Sequence, residues 1–442
     1  MSTLANSARG PAAAEVTWLV RAAFYAFVCS IPFDLPNNPL PVELSTVTAC
    51  GFLLATALQP SVCYRRIPGA LWWLTAYVFV SALAFAFAGG RYLQEARNLL
   101  ILLVQLVWIL WVSYNLLQVE RIATAVAWTY LIGCVVRAGL QLGHVAASLS
   151  EGSTGAPRVT TLGQNPDFIA GFLGLGVIVA IDFISRRGAG WGRRLLLGMA
   201  VGPMAAAIME TGSRGALVAL AAGALAYGGA HMSVAFRVRD VLTGVLLVGL
   251  LGGLALSSDT MRHRFALSAE GNLAGRERIY PELLNMFLEK PVLGWGPIAN
   301  KYELALRLQE RDRWLRIARA EGVSMNQGLD PRWLRRDAHN VFLEAATSTG
   351  ILGLLVFCVG VSLSVHAAWR ARRGPRGALP FAALGLVLTF NLSEDRIVGK
   401  IEWLTMAYAL ASAAVLVDPV ERRSSRVAAR GPRTAPAWAS ER

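Results

Sequence analysis

The chain has 442 residues, a formal net charge of +14 and a mean hydropathy of +0.47; 55% of it is apolar and 16% is charged. Soluble domains carry about 25% charged residues and disordered chains are far less apolar, so both classes are excluded. Cys29, Cys50, Cys134 and Cys358 lie in apolar runs and Cys63 in a short loop, which is no disulfide framework. What remains is a polytopic membrane protein whose chemistry must reside in its few polar residues.

A bilayer core about 30 Å thick takes roughly 20 apolar residues per helix. The sequence predicts about twelve such runs, at 16–33, 42–59, 69–88, 98–117, 121–146, 167–185, 195–210, 214–230, 240–257, 340–368, 378–392 and 401–417. No signal-peptide pattern precedes the first run. The expected class is an all-α polytopic membrane protein. Residues 1–257 hold spans one to nine, 258–338 form one large loop, 339–417 hold the last three spans, and 418–442 form an Arg-, Ser-, Ala- and Pro-rich disordered tail.

Arginine sets the orientation. Arg65, Arg66, Arg186, Arg187, Arg193, Arg194, Arg237, Arg239, Arg370, Arg372, Arg373, Arg376 and the arginines of the tail share one side, and far fewer lie in the short loops opposite. Both termini are therefore expected in the cytoplasm and the large loop outside it. Much of the net charge is then topology and calls for no nucleic-acid partner.

Within the large loop, 280–290 and 299–320 read as amphipathic helices. The second has Glu303–Arg307 and Asp312–Arg316 at four-residue spacing and Glu310–Arg313 at three, pairs that support a helix. Tyr302, Leu306, Trp314 and Ile317 would form its apolar face. A basic amphipathic helix beside a membrane suits anionic headgroups or phosphate. The alternative is a solvated helix packed on the loop's own core.

Polar residues that topology brings to the outer side mark candidate chemistry. In Thr211-Gly212-Ser213-Arg214-Gly215, Arg214 falls at a helix N-terminus, where free N–H groups, the dipole and a guanidinium fork favour an anion; an interfacial snorkelling arginine is the alternative. Arg276 follows Gly275 at the start of a second helix, ahead of the tight turn Pro291-Val292-Leu293-Gly294-Trp295-Gly296. It is a second anion candidate or a surface salt bridge. Arg158 is a third, or a plain loop arginine; Gln164 and Asn165 are sugar-type hydrogen-bonders or caps.

His339 precedes Asn340 at the entry to the tenth span. The positive end of a helix disfavours an imidazolium, leaving an imidazole that can accept a proton; a capping or interfacial histidine is the alternative. His231 and His366 fall on the cytoplasmic side, and His144 and His263 lack comparable surroundings. Glu344 shares the face of Asn340, and Gly350 and Gly353 farther along permit close helix approach. Glu394, Asp395, Arg396 and Lys400 in the last outer loop read as a solvated turn. No Asp-x-Asp pair, HExxH, Walker A or GxSxG motif accompanies them, so no metal or other cofactor is expected. Arginines plus one base suit sugar transfer from a lipid diphosphate: the guanidinium groups neutralise the leaving group and the base takes a hydroxyl proton.

Taken in order, these motifs resemble the O-antigen ligase superfamily of bacterial envelope enzymes, which includes ligases, O-antigen polymerases and O-linked protein oligosaccharyltransferases. The matching pieces are Ser213-Arg214-Gly215, Gly275-Arg276, Pro291-x-x-Gly294-x-Gly296, His339-Asn340 and Gly350-x-x-Gly353, with Arg158 and Gln164-Asn165-Pro166 as a looser upstream match. The resemblance implies a C-type glycosyltransferase of the Gram-negative inner membrane with a periplasmic active site. It implies metal-independent, inverting transfer of a glycan from undecaprenyl diphosphate, with His339 as base and Arg214 and Arg276, joined by Arg158, on the diphosphate. Ser213, Asn340, Gly350 and Gly353 would be structural or orienting. The expected partners are undecaprenyl-diphosphate-linked O-antigen as donor, lipid A–core as acceptor, and membrane lipids. Ligase is the first reading, with polymerase and oligosaccharyltransferase as alternatives. A lipid-linked glycan transporter is the rival from another class, but no repeated halves or broken helices appear in the sequence.

Overall fold

A computed structural model describes residues 16–34, 43–89, 92–151, 157–186, 190–232, 276–319 and 337–429, with single positions between 249 and 266. The predicted span 240–257, Gly275, residues 320–336 and the end of the chain from 430 lie outside the described residues. The described residues are mostly helical, at 80%. Helices α1 (Trp18–Ser30), α2 (Leu44–Ala57) and the short α3 (Pro60–Cys63) come first. They are followed by α4 (Gly69–Phe87), α5 (Leu93–Leu116), α6 (Glu120–Leu142), α7 (Pro166–Ser185), α8 (Trp191–Thr211) and α9 (Arg214–Met232). Then come α10 (Arg276–Glu289), α11 (Ala299–Arg319), α12 (Val341–Ala371), α13 (Leu379–Phe390) and α14 (Lys400–Ala429).

Among the described residues, seven helices are long and apolar enough to cross a membrane: α4 to α9 and α12. The stretches Trp18–Phe33, Leu44–Ala57 and Leu379–Phe390 are apolar but shorter. Every predicted run that is described coincides with a helix. The last helix continues to Ala429, past residue 417, where the sequence places the start of a disordered tail.

Helix α7 is the most enclosed of the seven, packed against α6, α8, α9 and α13. Its start is local chemistry: Asn165 accepts the Asp167 amide at 2.9 Å and Pro166 occupies the first helical position. Helix α12 packs on α4 and α14, and α14 on α5. One departure from the all-α expectation is an antiparallel hairpin of β1 (Ala147–Glu151) and β2 (Pro157–Thr161). It is clamped by Arg137 of α6, whose guanidinium donates to Thr161 Oγ1 at 2.6 Å and to Gln164 Oε1 at 2.9 Å.

Helices α10 and α11 build a second, small core of Ile279, Leu283, Met286, Leu304, Leu308 and Ala338. The buried stripe of α11 is thus Lys301, Leu304, Ala305 and Leu308, at helical spacing. This corrects the predicted apolar face at two of its members, Leu306, which is 42% exposed, and Tyr302, which stacks on Tyr92 with ring centroids 3.8 Å apart; the side chains of Trp314 and Ile317 lie outside the described residues. The described side chains do include the predicted Glu303–Arg307 pair, at 2.8 Å.

Helix α12 is interrupted at Gly350 (φ +65°, ψ −165°), a break the sequence reading does not anticipate. The interruption exchanges hydrogen bonds. Ile351 N–H donates to Pro291 O at 2.7 Å instead of to the preceding turn. The carbonyls of Thr347 and Ser348 accept Trp295 N–H at 2.8 Å and Gly296 N–H at 3.0 Å. The Pro291–Gly296 turn therefore supplies partners to backbone groups that the interrupted helix would otherwise leave open.

Candidate functional site

Several helix ends and the loop 391–399 meet at one end of the bundle. Helix α8 stops on Gly212 in the left-handed region (φ +63°), where glycine pays no Cβ penalty. Ser213 then caps α9, its hydroxyl accepting the Ala216 amide at 3.3 Å. Arg214 is therefore the first residue of α9, where the helix dipole favours negative charge. Gly215 lies so close to Ser393 that a Cβ there would collide with its side chain.

Arg276 begins α10 and reaches the same loop. Its Nη2 donates to Ser393 O at 2.6 Å and stands 3.9 Å from Glu394 Oε1. Its Nε is buried and has no hydrogen-bond partner among the described residues. Arg214 lies within electrostatic range of Arg276, Asp167 and Arg158.

His339 adopts a left-handed backbone (φ +49°), a conformation histidine takes more readily than most residues. Its carbonyl accepts from Tyr280 Oη at 3.2 Å. Asn340 then caps α12, accepting the amides of Phe342 at 3.0 Å and Leu343 at 3.1 Å. The imidazole is one-third exposed, and its Nδ1 faces Glu394 Oε2 at 3.7 Å. Burial pushes the Glu394 carboxyl above the ordinary glutamate range, against the opposing pull of His339 and Arg276.

Arg158 reaches the site from β2, buried. Its fork grips both carboxylate oxygens of Asp167, at 2.6 and 3.0 Å, and its Nε donates to Thr211 O at 2.8 Å. It ties the start of α7 to the end of α8 just before Arg214. Gln164 is buried and donates to Asp34 O at 2.7 Å, which makes it a packing residue here. Gly350 and Gly353 lie away from this cluster in α12; Gly350 receives the Pro291–Gly296 turn rather than a neighbouring helix. Among the described residues no group of three His, Cys, Asp or Glu side chains is arranged to hold a metal ion.

The fold thus brings Arg214, Arg276 and His339 together, with Arg158 behind them. Residues 199–358 match the O-antigen ligase family. The matched segment contains Ser213, Arg214, Arg276, His339, Asn340, Gly350 and Gly353, and leaves out Arg158 and the loop 391–399. No curated protein matches the chain.

Glu394 is the site residue that sequence reasoning missed. The predicted solvated turn is instead largely buried: Glu394 and Arg396 are each 5% exposed and Lys400 2%. Arg396 pairs with Glu402 at 3.1 Å and lies over the rings of Phe168 and Phe172. Lys400 pairs with Glu43 at 2.9 Å. The available signal was a run of charges between two apolar segments too close together to let a loop leave the bundle.

Proposed function

We propose that the protein is an O-antigen ligase. It transfers a glycan from undecaprenyl diphosphate to a sugar hydroxyl of lipid A–core at the periplasmic face of the Gram-negative inner membrane. The observation that carries this reading is the His339–Glu394–Arg276 array beside Arg214, at the end of an apolar helix bundle. With Nδ1 turned to Glu394, the His339 Nε2 is the atom left to take a proton. It accepts the proton of the acceptor hydroxyl, whose oxygen attacks the anomeric carbon. The bond from that carbon to the diphosphate breaks, and its electron pair leaves on the diphosphate oxygen. Arg214 and Arg276 neutralise the developing charge, the role of fixed cations at a departing phosphate. Arg158, already engaged by Asp167, adds charge from behind rather than a free fork. Attack opposite the leaving group inverts the anomeric configuration.

The acceptor is tested with purified protein in detergent, undecaprenyl-diphosphate glycan, and either lipid A–core or donor alone. Glycan on lipid A–core, lost in His339→Ala, supports the ligase. Chain growth with donor alone would make it a polymerase. No transfer with either would return a protein acceptor or a transporter to the front.

A further inference from the structure

The described residues also include a buried cation that the reaction above does not use. Lys301 lies on the inner face of α11, its side chain 10% exposed. Its ammonium donates to Asp337 Oδ1 at 2.8 Å and to Asp395 Oδ2 at 2.5 Å, and stands 3.8 Å from Glu344 Oε1. Burial works against its charge, yet Asp395, Glu344 and Asp337 outweigh that and raise its pKa. The neighbouring Asn300 secures the same turn of α11 by donating to Thr347 Oγ1 of α12 at 3.2 Å.

The sequence positions of these partners matter. Asp337 lies two residues before His339, and Asp395 directly follows Glu394. One ammonium therefore holds the backbone on both sides of the imidazole–carboxylate pair. We propose that Lys301 is a positioning residue: by drawing Asp337 and Asp395 together it sets the separation of His339 and Glu394. The proposal rests on the reading of those two residues as the proton-handling pair.

A buried carboxylate without its cation is costly, so Lys301→Met alone risks misfolding. The charge-balanced double variant Lys301→Met/Asp395→Asn removes one charge of each sign and leaves the long-range field nearly unchanged. Asp337→Asn, at a half-exposed side chain, is a second and milder probe. Two readouts are used on the full-length protein in detergent. The first is transfer from undecaprenyl-diphosphate glycan to lipid A–core. A displacement of about 1 Å at reacting groups costs on the order of 100-fold, so kcat should fall by about that factor in the double variant, with donor KM little changed. The second readout needs no activity: the pH dependence of diethylpyrocarbonate modification at His339, followed by mass spectrometry with His144 as internal reference. The groups bearing on His339 are Glu394 directly, Arg276 and Asp167 through Glu394, and Tyr280 at its carbonyl. Displacing Glu394 from Nδ1 should change the His339 modification profile and leave that of His144 as in wild type.

An unchanged His339 profile in folded Asp337→Asn and double variants overturns the proposal, as does a loss confined to the yield of folded protein. An active His339→Ala enzyme would instead remove the functional reading, with the modification profile still reporting on the Lys301 tie.

Discussion

His339 Nδ1 and Glu394 Oε2 stand 3.7 Å apart, the first from the entry to α12 and the second from the loop after α13. The Glu394 side chain is 7% exposed and the imidazole 33%. The carboxylate is thus enclosed while the ring keeps an open edge. That asymmetry suits a base whose far nitrogen meets a substrate and whose near nitrogen is oriented by a buried charge.

Glu394→Gln keeps the shape and removes the charge. An imidazolium forming on His339 would then have no partner. General-base catalysis contributes about 10²–10⁴-fold, and a loss of kcat in that range is expected, with donor KM nearly unchanged. Steady-state kinetics of the purified variant would check it; a kcat within a factor of about two of wild type would leave Glu394 as packing only.

The same group ties stability to pH. Burial raises the Glu394 carboxyl above its ordinary value, so the folded chain holds that proton to higher pH than the unfolded chain does. Folded and unfolded states bind it equally at low pH. Stability from this group is therefore full below the ordinary glutamate pKa and is lost as pH rises through the raised one. Glu394→Gln has no proton to lose, and its thermal midpoint in detergent should gain on wild type from pH 4 toward neutrality. A constant difference across that range would contradict the assignment.

The arginines should separate by role. Arg276 and Arg214 face the proposed diphosphate, and a hydrogen bond to a charged group is worth about 1.5–3 kcal/mol. Arg276→Lys and Arg214→Lys lose the planar fork and should each lower kcat/KM by roughly 10–100-fold with little change in stability. Arg158 grips Asp167 and Thr211 O, so Arg158→Ala should cost about 3–5 kcal/mol of stability, as breaking a buried pair does. Kinetics and thermal unfolding measured together would check the contrast.

What the sequence disclosed was local chemistry. Gly212, Ser213 and Arg214 make a helix stop, a cap and a helix start within three residues, and Asn165 and Asn340 cap their helices through side chains that need no distant partner. What it concealed depended on closure. Glu394, Asp395 and Lys400 look solvated in a row of charges, and only the approach of Asp34, Glu43, Arg276, Lys301 and His339 gives them partners inside the fold. The inner stripe of α11 is hidden in the sequence because Lys301, a lysine, anchors it, and because Tyr302 stacks on Tyr92 instead of entering the small core. The hairpin of β1 and β2 is held by Arg137 from within an apolar run, where an arginine carries no strand signal.

Gly350 and Gly353 resemble each other in sequence and differ in the fold. Gly350 has φ +65° and ψ −165°, and a Cβ on it would collide with the carbonyl of Val292. Strain in that region costs about 1–3 kcal/mol, and forced displacement of packed backbone adds about 1–3 kcal/mol more. The cost would fall on the exchange that joins the Pro291–Gly296 turn to α12, which also anchors α10 and α11 near His339. Gly353 has helical backbone, so a side chain there meets no left-handed strain, but its Cβ would collide with Oγ1 and Cβ of Thr349, one turn back, and rotation of Thr349 relieves only the first. Gly350→Ala, which adds backbone strain to a collision with the turn itself, should therefore lower the thermal midpoint more than Gly353→Ala does, and reduce transfer with it. Equal shifts would mean that the break in α12 is not what holds the turn.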